Sequence, residues 1–146
     1  MLEIRMTPNM GRGVFATAPI PHDTLLVKCE GWLAASADLK DDWVAMQVGP
    51  DLWLCSLSGS VDDCINHSCE PNAGFVTGEP VLHALREIAA GEQIGWDYST
   101  SIAEAGWTLR CRCGSAGCRA IIRSWFELQP EERDRLRPIA LQFLRD

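Results

Sequence analysis

Short apolar runs broken by glycine, proline or aspartate dominate the chain from Gly13 to about Trp96: residues 14–16, 25–27, 43–46, 52–54, 74–76, 81–85 and 93–94. Runs of this length between turn formers read as β-strands, and their number predicts a mainly β fold. Beyond residue 130 the period changes. Leu136, Ile139, Ala140, Phe143 and Leu144 fall at i, i+3, i+4, i+7 and i+8, which is one face of a helix. Pro130 followed by Glu131 and Glu132 suits the helix start, because proline tolerates the first turn and acids favour its exposed N–H groups. Pro138 lies inside the stripe, lacks an N–H and clashes with the preceding turn, so the helix is expected to kink or split there. The stripe is expected to pack against the sheet.

A chain of 146 residues is about one domain long. It carries no repeat, low-complexity tract or obvious linker, and no apolar run approaches the roughly 20 residues that span a bilayer. No membrane partner is expected. Met1 to Arg5 shows no basic region leading into an apolar stretch, so the expected location is intracellular, in the cytoplasm of a bacterium or with the nucleus open in a eukaryote. The seven cysteines are an odd number, which favours metal binding or buried thiols over a disulfide framework. Net charge is −7, and the sign is segregated. Residues 30–63 hold seven acids against Lys40, and residues 105–125 hold four arginines and no acid. One acidic face is expected, which disfavours direct nucleic-acid binding and favours a basic protein partner; a merely solubilising charge is the alternative.

The glycine motif Gly11-Arg12-Gly13-Val14-Phe15-Ala16 fits a dinucleotide-binding pattern in letters only. That pattern needs a buried strand before it and a helix after it, and Pro8, Pro19 and Pro21 deny that setting. A tight turn that lets backbone approach another group is the remaining reading. Cys111, Cys113 and Cys118 place three thiols within eight residues, a density that suits a tetrahedral zinc centre. The fourth ligand stays open on spacing alone, among Cys29, Cys55, Cys64, Cys69 and the histidines. Arg110, Arg112 and Arg119 beside these cysteines balance the charge of a thiolate-bound ion. His67 and Cys69 as a base and thiol nucleophile form a weaker pairing, with no oxyanion partner in view. His22 and His83 read as a surface and a strand histidine, and Tyr98 alone as a half-buried strand-end aromatic.

The order of glycine loop, Asn66-His67-Ser68-Cys69-Glu70-Pro71-Asn72, Gly91-Glu92-Gln93-Ile94-Gly95-Trp96-Asp97-Tyr98 and the cysteine cluster resembles a SET-domain protein lysine methyltransferase with a post-SET zinc segment. The resemblance runs from about Gly11 to Cys118. It implies a β-clip fold with a knot-like crossing near Tyr98, and a division into a SET domain at 1–104, a zinc segment at 105–124 and a helical extension at 125–146. It implies methyl transfer from S-adenosylmethionine to a lysine amine of a protein, with Tyr98 catalytic. Arg12, Gly13, Asn66, His67 and Arg112 would lie at the cofactor, and Cys69 would join Cys111, Cys113 and Cys118 around one zinc ion.

Three positions depart from the family pattern. Cys29 stands where a tyrosine of a Tyr-x-Gly motif is common, which leaves one aromatic wall of a lysine channel to another residue. Asp63 stands where an arginine often precedes the Asn-His pair. Trp96 replaces the phenylalanine or tyrosine two residues before the catalytic tyrosine. The stretch before Asn66 is also short, leaving little chain for substrate recognition. Cys29 and Trp96 keep a second reading open, a non-catalytic zinc-stabilised module that binds a protein.

Overall fold

The computed structural model describes residues 1–57 and 59–145; Asp146, the last residue of the expected extension, lies outside them. The first half of the described chain carries β1 (Leu2–Met6), β2 (Arg12–Ala16), β3 (Leu25–Lys28), β4 (Trp32–Ala34), β5 (Trp43–Gly49) and β6 (Leu52–Leu57). The second half adds β7 (Asn66–His67), β8 (Ala73–Gly74), β9 (Val81–Ala84), β10 (Gly95–Trp96), β11 (Thr108–Arg110), β12 (Ile121–Arg123) and the helix α1 (Pro130–Leu136). The strands form five small sheets, so the mainly β expectation holds.

β1 and β2 make an antiparallel hairpin with Leu2 opposite Ala16 and Met6 opposite Arg12. Leu2, Ile4 and Met6 alternate with Glu3 and Arg5, a period-two signal that the apolar runs alone pass over. β1 is largely exposed while Val14 and Ala16 of β2 are buried. The glycine loop therefore links two strands of a hairpin, with neither the buried strand nor the helix that a dinucleotide site needs. Gly11 sits at φ +67 and its carbonyl accepts the Thr7 N–H at 2.6 Å, which closes the turn.

The two three-stranded sheets and the hairpin share one apolar centre. One three-stranded sheet has the order β3-β9-β8, and a second has the order β4-β6-β5. Val14, Ala16, Ile20, Phe75, Ala84, Ile88 and Ile94 share the core between these sheets and the hairpin, each with no exposed surface. Burying each of the larger side chains contributes about 1.5–3 kcal/mol. The strand expected at 74–76 stops at Gly74, because the Phe75 N–H turns to the Ile139 carbonyl (3.0 Å). Gln93 forms only an isolated bridge to Phe15, and regular pairing begins two residues later in β10.

The C-terminal stripe splits as its proline requires. α1 ends at Leu136, and 3-10 turns at Arg137–Ile139 and Gln142–Leu144 continue the chain. Leu136, Ala140 and Leu144 are buried with Trp125 and Leu128 in a cluster of their own. The stripe thus packs mainly on residues 125–128, and Leu141 with Phe143 reaches the central core. No helix among the described residues is long and apolar enough to cross a membrane.

β7 and β10 pair in parallel, Asn66 with Gly95 and His67 with Trp96. The Ser68 N–H donates to the Trp96 carbonyl (3.0 Å) and the Asn72 N–H to the Gly95 carbonyl (3.2 Å), so the 66–72 turn holds residues 95 and 96 from both of its ends. This is the knot-like crossing, and Asn66, His67 and Tyr98 stand on it or directly beside it.

Candidate active site and metal centre

Asn72 fastens the crossing. Its side-chain oxygen accepts the Gly95 N–H at 2.9 Å and its amide donates to the Gln93 carbonyl at 2.8 Å, so this buried group leaves neither end unpaired. A Cβ on Gly95 would sit 2.9 Å from the Ser68 Cβ, so a side chain there would force the two strands apart. Asn66 donates to the Arg12 carbonyl (2.9 Å) and to the Gln93 side chain (3.1 Å), joining the glycine loop to the crossing. Gly13 allows that junction, because a Cβ there would lie 2.6 Å from Gln93 Oε1 and 3.1 Å from Asn66 Nδ2.

Tyr98 opens a 3-10 turn, Tyr98–Thr100, whose N-cap is Asp97; the Asp97 carboxylate accepts the Ser99 N–H at 3.0 Å. The Tyr98 N–H donates to His67 Nδ1 (3.1 Å) and its phenol donates to the Ile65 carbonyl (2.8 Å). The phenol ring lies 4.7 Å from the Trp96 ring and edge-on to His67 at 5.4 Å. Burial pushes the phenol up to about 12, so it holds its proton at neutral pH. Burial likewise takes His67 down to about 4, against the pull of Asp97. Because Nδ1 of the neutral ring accepts the Tyr98 N–H, the proton sits on Nε2, which faces Cys69 Sγ at 3.2 Å. His67 Nδ1 also lies 3.8 Å from Asp97, but with its lone pair engaged this is no ion pair. The charge partner of Asp97 is Arg119, whose two terminal nitrogens grip the carboxylate at 2.6 and 2.9 Å.

The sulfurs of Cys69, Cys111, Cys113 and Cys118 all lie within 4.8 Å of one another. The Cys69 and Cys111 sulfurs are 3.6 Å apart, close to the ~3.8 Å between thiolates on a tetrahedral zinc with bonds of about 2.3 Å. The antiparallel β11–β12 pair delivers Cys111 to this point, and buried Ile122 packs against Cys69 and Cys111. Backbone N–H groups of Cys113 and Arg119 donate to the sulfurs of Cys111 (3.4 Å) and Cys69 (3.3 Å), as thiolates require. Without a cation, burial raises the Cys69 and Cys111 thiols, so a divalent ion would displace their protons on binding. Of the candidates that spacing leaves open, Cys69 is the one whose sulfur stands with these three. Cys29, Cys55, Cys64, His22 and His83 lie outside the cluster.

Tyr98 borders two cavities. One, of about 440 Å³, has walls from Trp53, Ile65, Leu82, Trp96, Tyr98 and Trp107, with Glu30, Asp62, Asp63 and Glu104 around it. The other, of about 220 Å³, is bounded by Asn66, His67, Tyr98, Arg112, Cys111, Cys113 and Ile122. A third of about 230 Å³ shares Met10, Asn66 and His67 with the second. Tyr98, Asn66, His67 and Arg112 thus meet at one cavity. Arg12 and Gly13 do not line it; Asn9 and Met10 of the same hairpin turn do, and the Arg12 carbonyl is taken by Asn66.

The departures find places too. Cys29 sits in the wall of the large cavity, and burial together with Asp62 and Asp63 pushes its thiol up to about 12, which leaves it inert. Trp96 lies between Phe75, which it meets edge to face, and Tyr98, to which it is tilted, and supplies aromatic wall. Asp63 accepts hydrogen bonds from the hydroxyls of Ser56 (2.8 Å) and Ser60 (2.7 Å). Asn72, Gln93 and Asp97 carry no role in the sequence, and Arg119, expected only to balance charge beside the cysteines, pairs with Asp97. Asn72 and Asp97 stand inside the quoted motifs, whereas the only mark on Arg119 is its place beside a cysteine.

The family model described as SET domain matches residues 11–99. The histone-lysine N-methyltransferase ash1 of Drosophila melanogaster is 30% identical over 134 residues, covering 80% of this chain and 6% of that protein. The histone-lysine N-methyltransferase EHMT1 of Mus musculus is 30% identical over 145 residues, covering 81% of this chain and 11% of its own. The crystal structure of KRYPTONITE in complex with mCHG DNA and SAH superposes with a TM-score of 0.66 at 25% identity, over 84% of this chain and 29% of that one. The chain spans only a small part of the length of these relatives. Matched through its crossing, its tyrosine and most of its strands, the chain belongs to the SET-domain family.

Proposed function

We propose that the chain transfers a methyl group from S-adenosylmethionine to the side-chain amine of a lysine in a protein. The observation that carries this is the position of Tyr98 in the wall of both an aromatic cavity with acidic groups and a smaller cavity lined by Asn66, His67 and Arg112. A lysine and a methyl donor are a pair of ligands that such a shared wall would bring together. The names of the relatives support the reading, as does the KRYPTONITE complex with an H3(1–15) peptide and SAH, a likeness of fold at 22% identity. The DNA in that structure is a ligand of that protein, and the substrate class proposed here is a basic protein segment.

The amide of Asn66, the cation of Arg112 and the apolar Met10 and Ile122 fit a donor with both charged and apolar parts. When bound, S-adenosylmethionine supplies an activated methyl group on a sulfonium. The chain must present the lysine as a neutral amine, and holding a group of pKa about 10.4 neutral near pH 7 costs roughly 4–5 kcal/mol. Trp53, Trp96 and Trp107 lower that cost by excluding water from the amine. Glu30, Asp62, Asp63 and Glu104 attract the ammonium to the cleft before it loses its proton to water. Tyr98 is not the base, because its phenol is protonated and donates to Ile65. Its oxygen keeps lone pairs with which to orient the amine. Zinc, held by Cys69, Cys111, Cys113 and Cys118, would have four protein ligands and no open position, so its role is structural. In the same reading the chain divides at 1–104, 105–124 and 125–146.

Calorimetry with S-adenosylmethionine, followed by transfer of a labelled methyl group to a mixture of basic proteins, tests the proposal. Binding and transfer to lysine are expected. Binding without transfer would point instead to a non-catalytic protein-binding module.

A further inference from the structure

Two chains of contacts leave Cys69 Sγ and meet again at the backbone of Tyr98. The first is short: His67 Nε2 lies 3.2 Å from the sulfur, and His67 Nδ1 accepts the Tyr98 N–H at 3.1 Å. The second runs through one residue that the proposed reaction does not use. Arg119 donates its backbone N–H to Cys69 Sγ (3.3 Å), while its guanidinium grips Asp97 at 2.6 and 2.9 Å and reaches Ser99 Oγ at 3.2 Å. Asp97 immediately precedes Tyr98, its side chain has no exposed surface, and it caps the turn that Tyr98 opens. Glu132 of α1 lies within ion-pair distance of Arg119 Nε, at 3.4 Å, without a hydrogen bond between them.

We propose that Arg119 is a positioning residue that couples metal loading of the four-cysteine cluster to the placement of Tyr98. The inference rests on reading the cluster as a metal centre. Residues 111–119 contain no regular secondary structure; besides the contacts of Arg119 itself and the Cys111 N–H on the Ala120 carbonyl (2.7 Å), the four sulfurs are what tie this segment to Cys69. Loss of the ion frees that segment and withdraws the guanidinium. Asp97 is then a buried carboxylate without its partner, an arrangement that low-dielectric surroundings do not sustain. The Asp97 cap opens, the Tyr98–Thr100 turn loosens, and the phenol leaves its place between the two cavities. A lysine at 119 keeps the charge but offers a single point of contact in place of the fork.

Amide hydrogen exchange at Tyr98 and Ser99, read beside metal content, tests the coupling without a methyl-transfer assay. The samples are the metal-loaded chain, the chain after chelation, R119Q and R119K. The expected result for R119Q is retained metal with exchange at least about tenfold faster at both amides, and R119K falls between R119Q and the unaltered protein. Chelation of the unaltered protein should accelerate the same two amides. Where transfer is measured as well, R119Q should lower kcat while the KM for donor stays within about twofold. Metal-replete R119Q with unchanged exchange overturns the coupling, as does chelation that leaves both amides protected. If R119Q does not fold, R119K carries the test, and exchange in it at the rate of the unaltered protein also overturns the proposal. Freshly purified protein without any metal overturns the metal reading and the coupling with it.

Discussion

The phenol of Tyr98 donates to the Ile65 carbonyl and is buried enough to titrate near about 12. Tyr98→Phe should therefore keep the fold, cost about 1 kcal/mol through the lost hydrogen bond, and lower methyl transfer by orders of magnitude. Thermal melting beside a transfer assay reads both effects, and normal turnover would remove Tyr98 from the chemistry. The same burial makes an alkaline prediction. The phenol shifts from its ordinary 10.0 up to about 12, so the fold favours the neutral form. Its contribution to stability is whole below pH 10 and is lost as pH rises from there through about 12. As Tyr98 is the one tyrosine of the chain, ultraviolet titration of phenolate absorbance reports it directly; a midpoint near 10 in the native protein would contradict the buried placement. At this scale Asn66, His67 and Tyr98 were legible because each stands in a contiguous motif. The pairing of Arg119 with Asp97 spans 22 residues and leaves no local pattern.

Among elements, the cysteine segment and α1 carry the clearest tests. Cys69→Ser and Cys111→Ser should each release the ion, from about one zinc per chain in the unaltered protein to none, as metal analysis of freshly purified protein can show. The two residues lie in different segments, so loss in both variants would establish the shared centre. Leu136→Ala removes a side chain with no exposed surface from the Trp125 cluster and should cost about 2–5 kcal/mol in a denaturation experiment. The helix stripe and its break at Pro138 were readable because period and missing N–H act over one turn. What the stripe packs against was not, since Trp125 and Leu128 carry no mark that assigns them to it. β7 and β10 escaped the strand pattern because two-residue strands have no alternation to read; they exist only through each other and through Asn72.

For the molecule as a whole, charge is the property that reaches beyond contact distance. Glu30, Asp62 and Asp63 of the acidic stretch border the large cavity together with Glu104, while Asp38, Asp41, Asp42 and Asp51 do not line it. Replacing Asp62 and Glu104 with Asn and Gln should lower kcat/KM toward a lysine-rich peptide by roughly threefold to tenfold at low salt. The difference should fade as added salt shortens the screening length to a few ångströms. A salt-independent loss would assign these acids to direct contacts instead. Solubilising charge alone predicts no change in either condition.

The sequence by itself determined what near neighbours decide: short strands between turn formers, a helix stripe broken by Pro138, three cysteines in one chelating segment, and motifs specific enough to imply a family. Tertiary structure decided which distant groups meet: Cys69 as the fourth sulfur, Tyr98 as a wall common to two cavities, Asn9 and Met10 beside Asn66 and His67 at the smaller one, and the Arg119 fork on Asp97. Strand and helix periods arise from backbone sterics over a few residues, and the letters record them. Contacts between segments tens of residues apart depend on how a whole core closes and which polar groups it must pair, and no single stretch of letters encodes that.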